Sequence, residues 1–235
     1  MTTPSLDISG AIARITLQRP EAANKLAPED ITALRAHLRE INAADGVRVL
    51  ILQSAGKHFC SGHDLAELAA NPRSGNGFGD MVDALAACRP VTIAAVQGGA
   101  FGGGADLALA CDFRVGGPQS RVRVPPVQLG LHLYQSGLER FVSRLGLNMA
   151  RRLLLAAEPL DAAAMLDCGF LTHFSNGPDI TGAVDELAAT LARMAPLALL
   201  GMKESLNQIA CGHADAALIA ARVQRTILSE DLQEG

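Results

Sequence analysis

The chain has 235 residues, 49% hydrophobic and 19% charged, which is enough apolar material for one large core and too little charge for long disorder. Lysine and arginine number 20 against 24 acids, so the net charge of −4 offers no footprint for nucleic acid or an anionic membrane, and one tyrosine with no tryptophan argues against base stacking. The five cysteines (Cys60, Cys88, Cys111, Cys168 and Cys211) are odd in number and never form a CxxC pair, which speaks against a disulfide framework and a zinc site.

In chain order, residues 1–10, MTTPSLDISG, carry neither a basic start nor an apolar stretch, and no apolar run approaches bilayer length. The expectation is a soluble protein of a reducing, cytoplasmic compartment. Ala11–Leu17 alternates like a strand and ends at Arg19-Pro20. Pro28-Glu29-Asp30 opens a helix whose Ile31, Leu34, Leu38 and Ile41 make one apolar stripe. Val47–Gln53 is a near-continuous apolar run, as a buried strand would be. A loop leads to a helix near Asp64, and Asn71–Gly79, NPRSGNGFG, reads as a mobile loop. Met81–Cys88 is predicted helical and Val91–Val96 a second buried strand, with Phe113–Val115 a third. Helices then dominate: Gly137–Leu145, Asn148–Ala156, Asp161–Cys168, Asp179–Met194, and Pro196 to about Leu228. Strand–helix alternation followed by helices predicts an α/β core with a helical C-terminal part.

The most unusual segment is AVQGGAFGGGADLALACD, Ala95–Asp112, where five of the first ten residues are glycine. It lacks GxGxxG, and the chain lacks GxxxxGK[ST] and GxSxG, so dinucleotide, nucleotide triphosphate and serine-hydrolase chemistry find no support. What remains is strand, glycine turn, helix. A helix N-terminus has unpaired N–H groups, and missing Cβ atoms let a ligand oxygen approach them. FCSGHDL, Phe59–Leu65, offers a second such turn. On spacing alone, two readings stand side by side: a two-donor oxyanion site, or tight turns that only permit close packing.

QRPEAANKL, GKHFCSGHDLAEL, AVQGGAFGGGADLALACD and PPVQLGL resemble, in order and approximate spacing, the crotonase superfamily of enoyl-CoA hydratases, isomerases and related acyl-CoA enzymes. The resemblance covers about residue 6 to the C-terminus. It implies an α/β fold, a crotonase-like spiral of ββα turns over 1–195, with a helical C-terminal trimerisation segment at 196–235. It also implies an acyl-CoA substrate, no metal or redox cofactor, and a homotrimer or dimer of trimers. By position, the N–H groups of His63 and Gly103 would form an oxyanion hole for a thioester enolate. Lys25, Leu26, Asp64, Leu65, Gly102, Pro126 and His132 would lie along the substrate, and Lys203 falls in a segment resembling a CoA-contacting part of the family. LSEDLQEG at the end resembles a point after which relatives carry a further helix.

The departures are as informative. Hydratases of the family use two glutamates, because water addition needs a base and an acid on one face. Here the first position is Asp106 and the second falls at Pro126, in VPPVQLG, where no proton can be transferred. LHLYQSGLER replaces the next glycine-rich loop. Dienoyl-CoA isomerases resemble the chain at Asp106, and methylmalonyl-CoA decarboxylases resemble it at Pro126 and near Tyr134. Isomerisation or decarboxylation is therefore expected ahead of hydration, with Asp106, Tyr134 and Glu139 as candidate catalytic groups. The alternative is an acyl-CoA binder that has lost its acids. An acid in the first turn of a helix is also favoured by the helix dipole alone, and Glu139 three residues after Ser136 also fits a capping box.

Overall fold

The computed structural model describes residues 2–64, 67, 70, 76–177, 179–229 and 232. Strands β1 (Ser5–Ser9) and β2 (Ile12–Leu17) form an antiparallel pair. On β2, the strands β3 (Val49–Ser54), β4 (Val91–Val96), β6 (Phe113–Gly116) and β9 (His173–Phe174) add in parallel, giving the order β1-β2-β3-β4-β6-β9. A second sheet holds β5 (Gly99–Phe101), β7 (Arg121–Arg123) and β8 (Leu160–Asp161).

The apolar runs of β3 and β4 follow from burial on both faces. Leu50, Leu52, Ala94 and Val96 face the main core. Val49, Ile51, Ile93 and Ala95 face a second cluster with Val184, Ala188 and Leu191 of helix α6 (Thr181–Ala192). Strands covered on two sides cannot alternate polar with apolar, hence the continuous pattern. Helix α1 (Pro28–Ala43) buries the expected Ile31, Leu34, Leu38 and Ile41, and its Asp30 carboxylate accepts the Ala27 N–H at 2.9 Å.

Helix α2 spans Gly77–Ala86, starting earlier than the apolar pattern suggests, because the Asn76 side chain caps the Gly79 N–H at 3.2 Å. Positions 76–79 of the expected loop are thus helix entry, and 71–75 lie outside the described residues. Helix α3 (Gly103–Leu109) follows the glycine turn directly. Helix α4 (Gln135–Leu154) is broken at Gly146, φ 76°, which agrees with the two stretches expected there. Helix α5 covers Ala162–Asp167.

The expected single helix from Pro196 is two, α7 (Pro196–Ala210) and α8 (Ala216–Ile227). Gly212 at φ 72° turns the chain, and the Asp215 carboxylate caps α8 through the Ala217 and Leu218 N–H groups at 2.8 and 3.1 Å. Strands β1, β5, β7, β8 and β9 carry no separate sequence prediction. Among the described residues, no helix is long and apolar enough to cross a membrane. All five cysteines are free, and burial pushes the thiols of Cys60 and Cys111 up to about 12.

Candidate active site

The two glycine turns lie against each other. Residues 59–60 pair with 99–101 through Phe59 N–H to Gly99 O at 3.0 Å and Phe101 N–H to Cys60 O at 2.8 Å. On the other side, Leu26 bridges His63 in parallel: Leu26 N–H donates to Gly62 O at 2.8 Å and Asp64 N–H to Leu26 O at 3.0 Å. In such a bridge the neighbours of the central residue make the bonds, so the amide of His63 itself points away from Leu26. Gly103 is the first residue of α3, where an amide has no partner within the helix. Among the described residues, neither the His63 N–H nor the Gly103 N–H meets a protein acceptor.

Bare backbone is what allows this approach. A Cβ on Gly62 would lie 2.6 Å from Gly103 N, main chain that cannot yield, and Gly62 sits at φ +91°, where L side chains are strained. A Cβ on Gly103 would lie 2.6 Å from Cζ of Phe78 on α2. The Phe78 ring in turn stacks on the His63 imidazole, with centroids 5.3 Å apart and planes 20° from parallel. Burial of that imidazole lowers its pKa from the ordinary 6.5.

One turn along α3 from Gly103 stands Asp106, only 2% exposed. Arg140 of α4 grips its carboxylate with two bonds, Nε to Oδ1 at 2.8 Å and Nη2 to Oδ2 at 3.1 Å. The Tyr134 hydroxyl donates to Oδ2 as well. Burial and the adjoining carboxylate raise the Tyr134 pKa well above the ordinary phenol range, so the ring stays neutral. Arg140 also donates through Nη1 to Asp83 Oδ1 at 2.6 Å, and Asp83 Oδ2 accepts the Ser136 hydroxyl at 2.9 Å. Sequence reasoning missed Arg140, Asp83 and Phe78. A signal for Arg140 was present: Gly137, Arg140 and Phe141 fall on one buried helix face, and a charge there needs a partner.

The chain matches the family model described as enoyl-CoA hydratase/isomerase over residues 7–235. It belongs to that family. The short-chain-enoyl-CoA hydratase of Clostridium acetobutylicum is 29% identical over 209 residues, covering 86% of this chain and 80% of that protein. The enoyl-CoA hydratase AKT6-1 of Alternaria alternata is 31% identical over 223 residues, covering 92% of this chain and 73% of that one. The crystal structure of an enoyl-CoA hydratase/carnithine racemase from Magnetospirillum magneticum superposes with a TM-score of 0.91 at 25% identity, covering 100% of this chain and 91% of that chain. The fold is the crotonase fold.

Within this family member the remaining candidates divide. Asp106 and Tyr134 are brought together near Gly103. Glu139 is not: it is exposed and accepts the Gln135 amide at 2.8 Å. Nor does Glu139 cap α4 with Ser136, since the helix enters at Tyr134 and the Ser136 hydroxyl is spent on Asp83. Glu139 lines a groove of about 820 Å³ between α2, α4, α7 and α8, and Asp83 and Arg140 form part of the same wall. Pro126 is buried at the entry to a 3-10 turn, Val127–Leu129. His132 is exposed, its Nδ1 2.6 Å from Leu133 O.

Lys25 pairs with Asp64 at 2.8 Å beside the His63 bridge. Leu26 is buried, and the Gly102 N–H is taken by Arg123 O at 2.9 Å. Leu65 lies outside the described residues. Lys203 is anchored in the protein, with Nζ 2.8 Å from Asp112 Oδ2 and 2.5 Å from Pro90 O.

Proposed function

We propose that this chain is an acyl-CoA enzyme that stabilises a thioester enolate between the amides of His63 and Gly103, and that it isomerises or decarboxylates its substrate in preference to hydrating it. The backbone approach of Gly62 to Gly103, with the amides of His63 and Gly103 meeting no protein acceptor among the described residues, carries the reading. A thioester oxygen accepting two fixed N–H bonds gains stabilisation as it becomes an enolate, and each such donor lowers the barrier by roughly 3 kcal/mol. In this reading Asp64, Lys25, Leu26, Gly102 and Pro126 lie along the substrate, supported by the Lys25–Asp64 pair next to His63 and by Gly102 immediately before Gly103.

The choice of reaction follows from the acids. Hydration needs a base to activate water and an acid to protonate the α-carbon. Asp106 has its carboxylate engaged by Arg140 and Tyr134, and proline stands at the second position. Decarboxylation asks less. The carbon–carbon bond to a malonyl-type carboxylate breaks, its electron pair enters the enolate, and carbon dioxide leaves. A proton then reaches the α-carbon, with the Tyr134 hydroxyl the donor in this reading and solvent restoring it. Neither chemistry draws on a resident metal or redox group.

Steady-state kinetics with enoyl-, dienoyl- and malonyl-type CoA esters test this. Isomerised or decarboxylated product is expected at a rate at least about tenfold above hydration, a difference of roughly 1.4 kcal/mol in barrier. Faster hydration overturns it.

The alternative, an acyl-CoA binder without turnover, is favoured by the engagement of Asp106. Tight binding in calorimetry, no product from any ester and no effect of Asp106→Asn on affinity support that instead.

The same reading divides the chain into a core through residue 195 and a trimerisation segment from 196, in a cytoplasmic homotrimer or dimer of trimers. Its support is the apolar surface on α7 and α8, where Met202 and Leu206 are 60% and 63% exposed.

A further inference from the structure

We infer that Arg140 is a positioning residue of this site, fixing the Asp106 carboxylate and, through it, the Tyr134 hydroxyl in a single arrangement. Its kinetic consequence rests on the proposed enolate chemistry; its structural consequence does not.

Arg140 is 8% exposed, yet three of its nitrogens are engaged: Nε and Nη2 on the two oxygens of Asp106, and Nη1 on Asp83. A planar fork on a carboxylate fixes the plane of the acceptor, which a single rotatable ammonium cannot do. With Oδ1 and Oδ2 thus pinned, the one further donor to Oδ2 among the described residues is the Tyr134 hydroxyl, whose ring centroid lies 6.0 Å from the guanidinium carbon. Gly137 completes the arrangement by being small. A Cβ there would lie 3.1 Å from Tyr134 Cε2 and 3.3 Å from Asp106 Oδ2, tighter than most real contacts. Asp83, tied to Ser136, anchors the far end of Arg140 on α2. The network therefore joins α2, α3 and α4 around one buried cation. It holds the side chain one turn from the Gly103 amide where the helix backbone alone would leave it free to rotate.

Tyr134 reports on this network by itself, because it is the sole tyrosine and the chain has no tryptophan. A phenol that donates to a carboxylate loses emission through proton transfer in the excited state. Arg140→Gln, Arg140→Lys and Asp106→Asn are compared with the parent chain, with circular dichroism to establish that each folds.

Emission is expected to brighten in Asp106→Asn and in Arg140→Gln, with Arg140→Lys between parent and glutamine variant. With a turned-over CoA ester, kcat in Arg140→Gln is expected to fall about 10–100-fold while KM moves less than about threefold, the pattern of lost orientation and not lost binding. Should the glutamine variant fail to fold, Arg140→Lys carries the same comparison. Parent-like emission and kcat in the folded Arg140 variants overturn the proposal. Emission that shifts in a chain with no turnover of any ester upholds the positioning role and counts against the enolate reading alone.

Discussion

At position 62 the chain tolerates nothing larger than hydrogen. Gly62→Ala forces a Cβ to 2.6 Å from Gly103 N at a φ of +91°. About 1–3 kcal/mol of strain and displacement is expected, visible as a lowered unfolding midpoint, together with at least about 100-fold loss of kcat on any CoA ester that turns over. His63 sets a pH dependence of a definite sign. Because burial holds its folded pKa below 6.5, the unfolded chain takes up the proton first. This contribution to stability is intact above pH 6.5 and is lost as pH falls from 6.5 toward the folded value. Thermal melts from pH 7.5 to 5 should show that decline, and His63→Asn should flatten it. The residues of both glycine turns were legible in the sequence because glycine and a following helix leave a local mark. The engagement of Asp106 was not, since its partners Tyr134 and Arg140 lie 28 and 34 positions away and only the fold brings them near.

Between elements, long-range ion pairs decide what pattern alone leaves open. Lys203 on α7 reaches Asp112 after β4 and α3, and Asp112 also accepts both the Thr92 N–H at 2.7 Å and the Thr92 hydroxyl at 2.9 Å. Lys203→Met leaves that carboxylate without its cation in a nearly dry setting, and a loss of about 3 kcal/mol in denaturant unfolding is expected. What the sequence could not convey is that the Lys203 ammonium is already held by Asp112 and Pro90 O. The long elements were legible because periodicity accumulates over turns: α1 buries its expected apolar stripe, β4 has its expected bounds, and β3 runs Val49–Ser54 where Val47–Gln53 was expected. Strands β5, β7 and β8, of two or three residues, hold too few positions for alternation to register. The division of α7 from α8 turned on Gly212 and the Asp215 cap, a punctuation easily lost within a continuous helical composition.

For the whole molecule, α7 and α8 bury none of their residues fully, while Leu206, Ile209, Leu218 and Val223 stay about half or more exposed at 63%, 55%, 49% and 49%. Apolar surface of that extent is what the proposed assembly would cover. Sedimentation of the full chain should give a multiple of 24.5 kDa, three or six in the proposed assembly, and Leu206→Glu with Leu218→Glu should shift it toward a single copy. The sequence conveyed that this stretch is helical but not which side it presents, since its apolar pattern serves a core and a partner equally well.

The pairing of Leu26 with His63 and of Cys60 with Ala100 has a further consequence for how this protein can be dissected. Groups that belong to the peptide link survive every exchange of one side chain for another except proline, so alanine at position 63 would keep the amide hydrogen while losing only the ring. Replacing the nitrogen itself, by an amide-to-ester exchange at 63 or 103 in a semisynthetic chain, removes a single hydrogen while leaving each R group in place. It is that atom, encoded by no codon, on which the proposed chemistry turns.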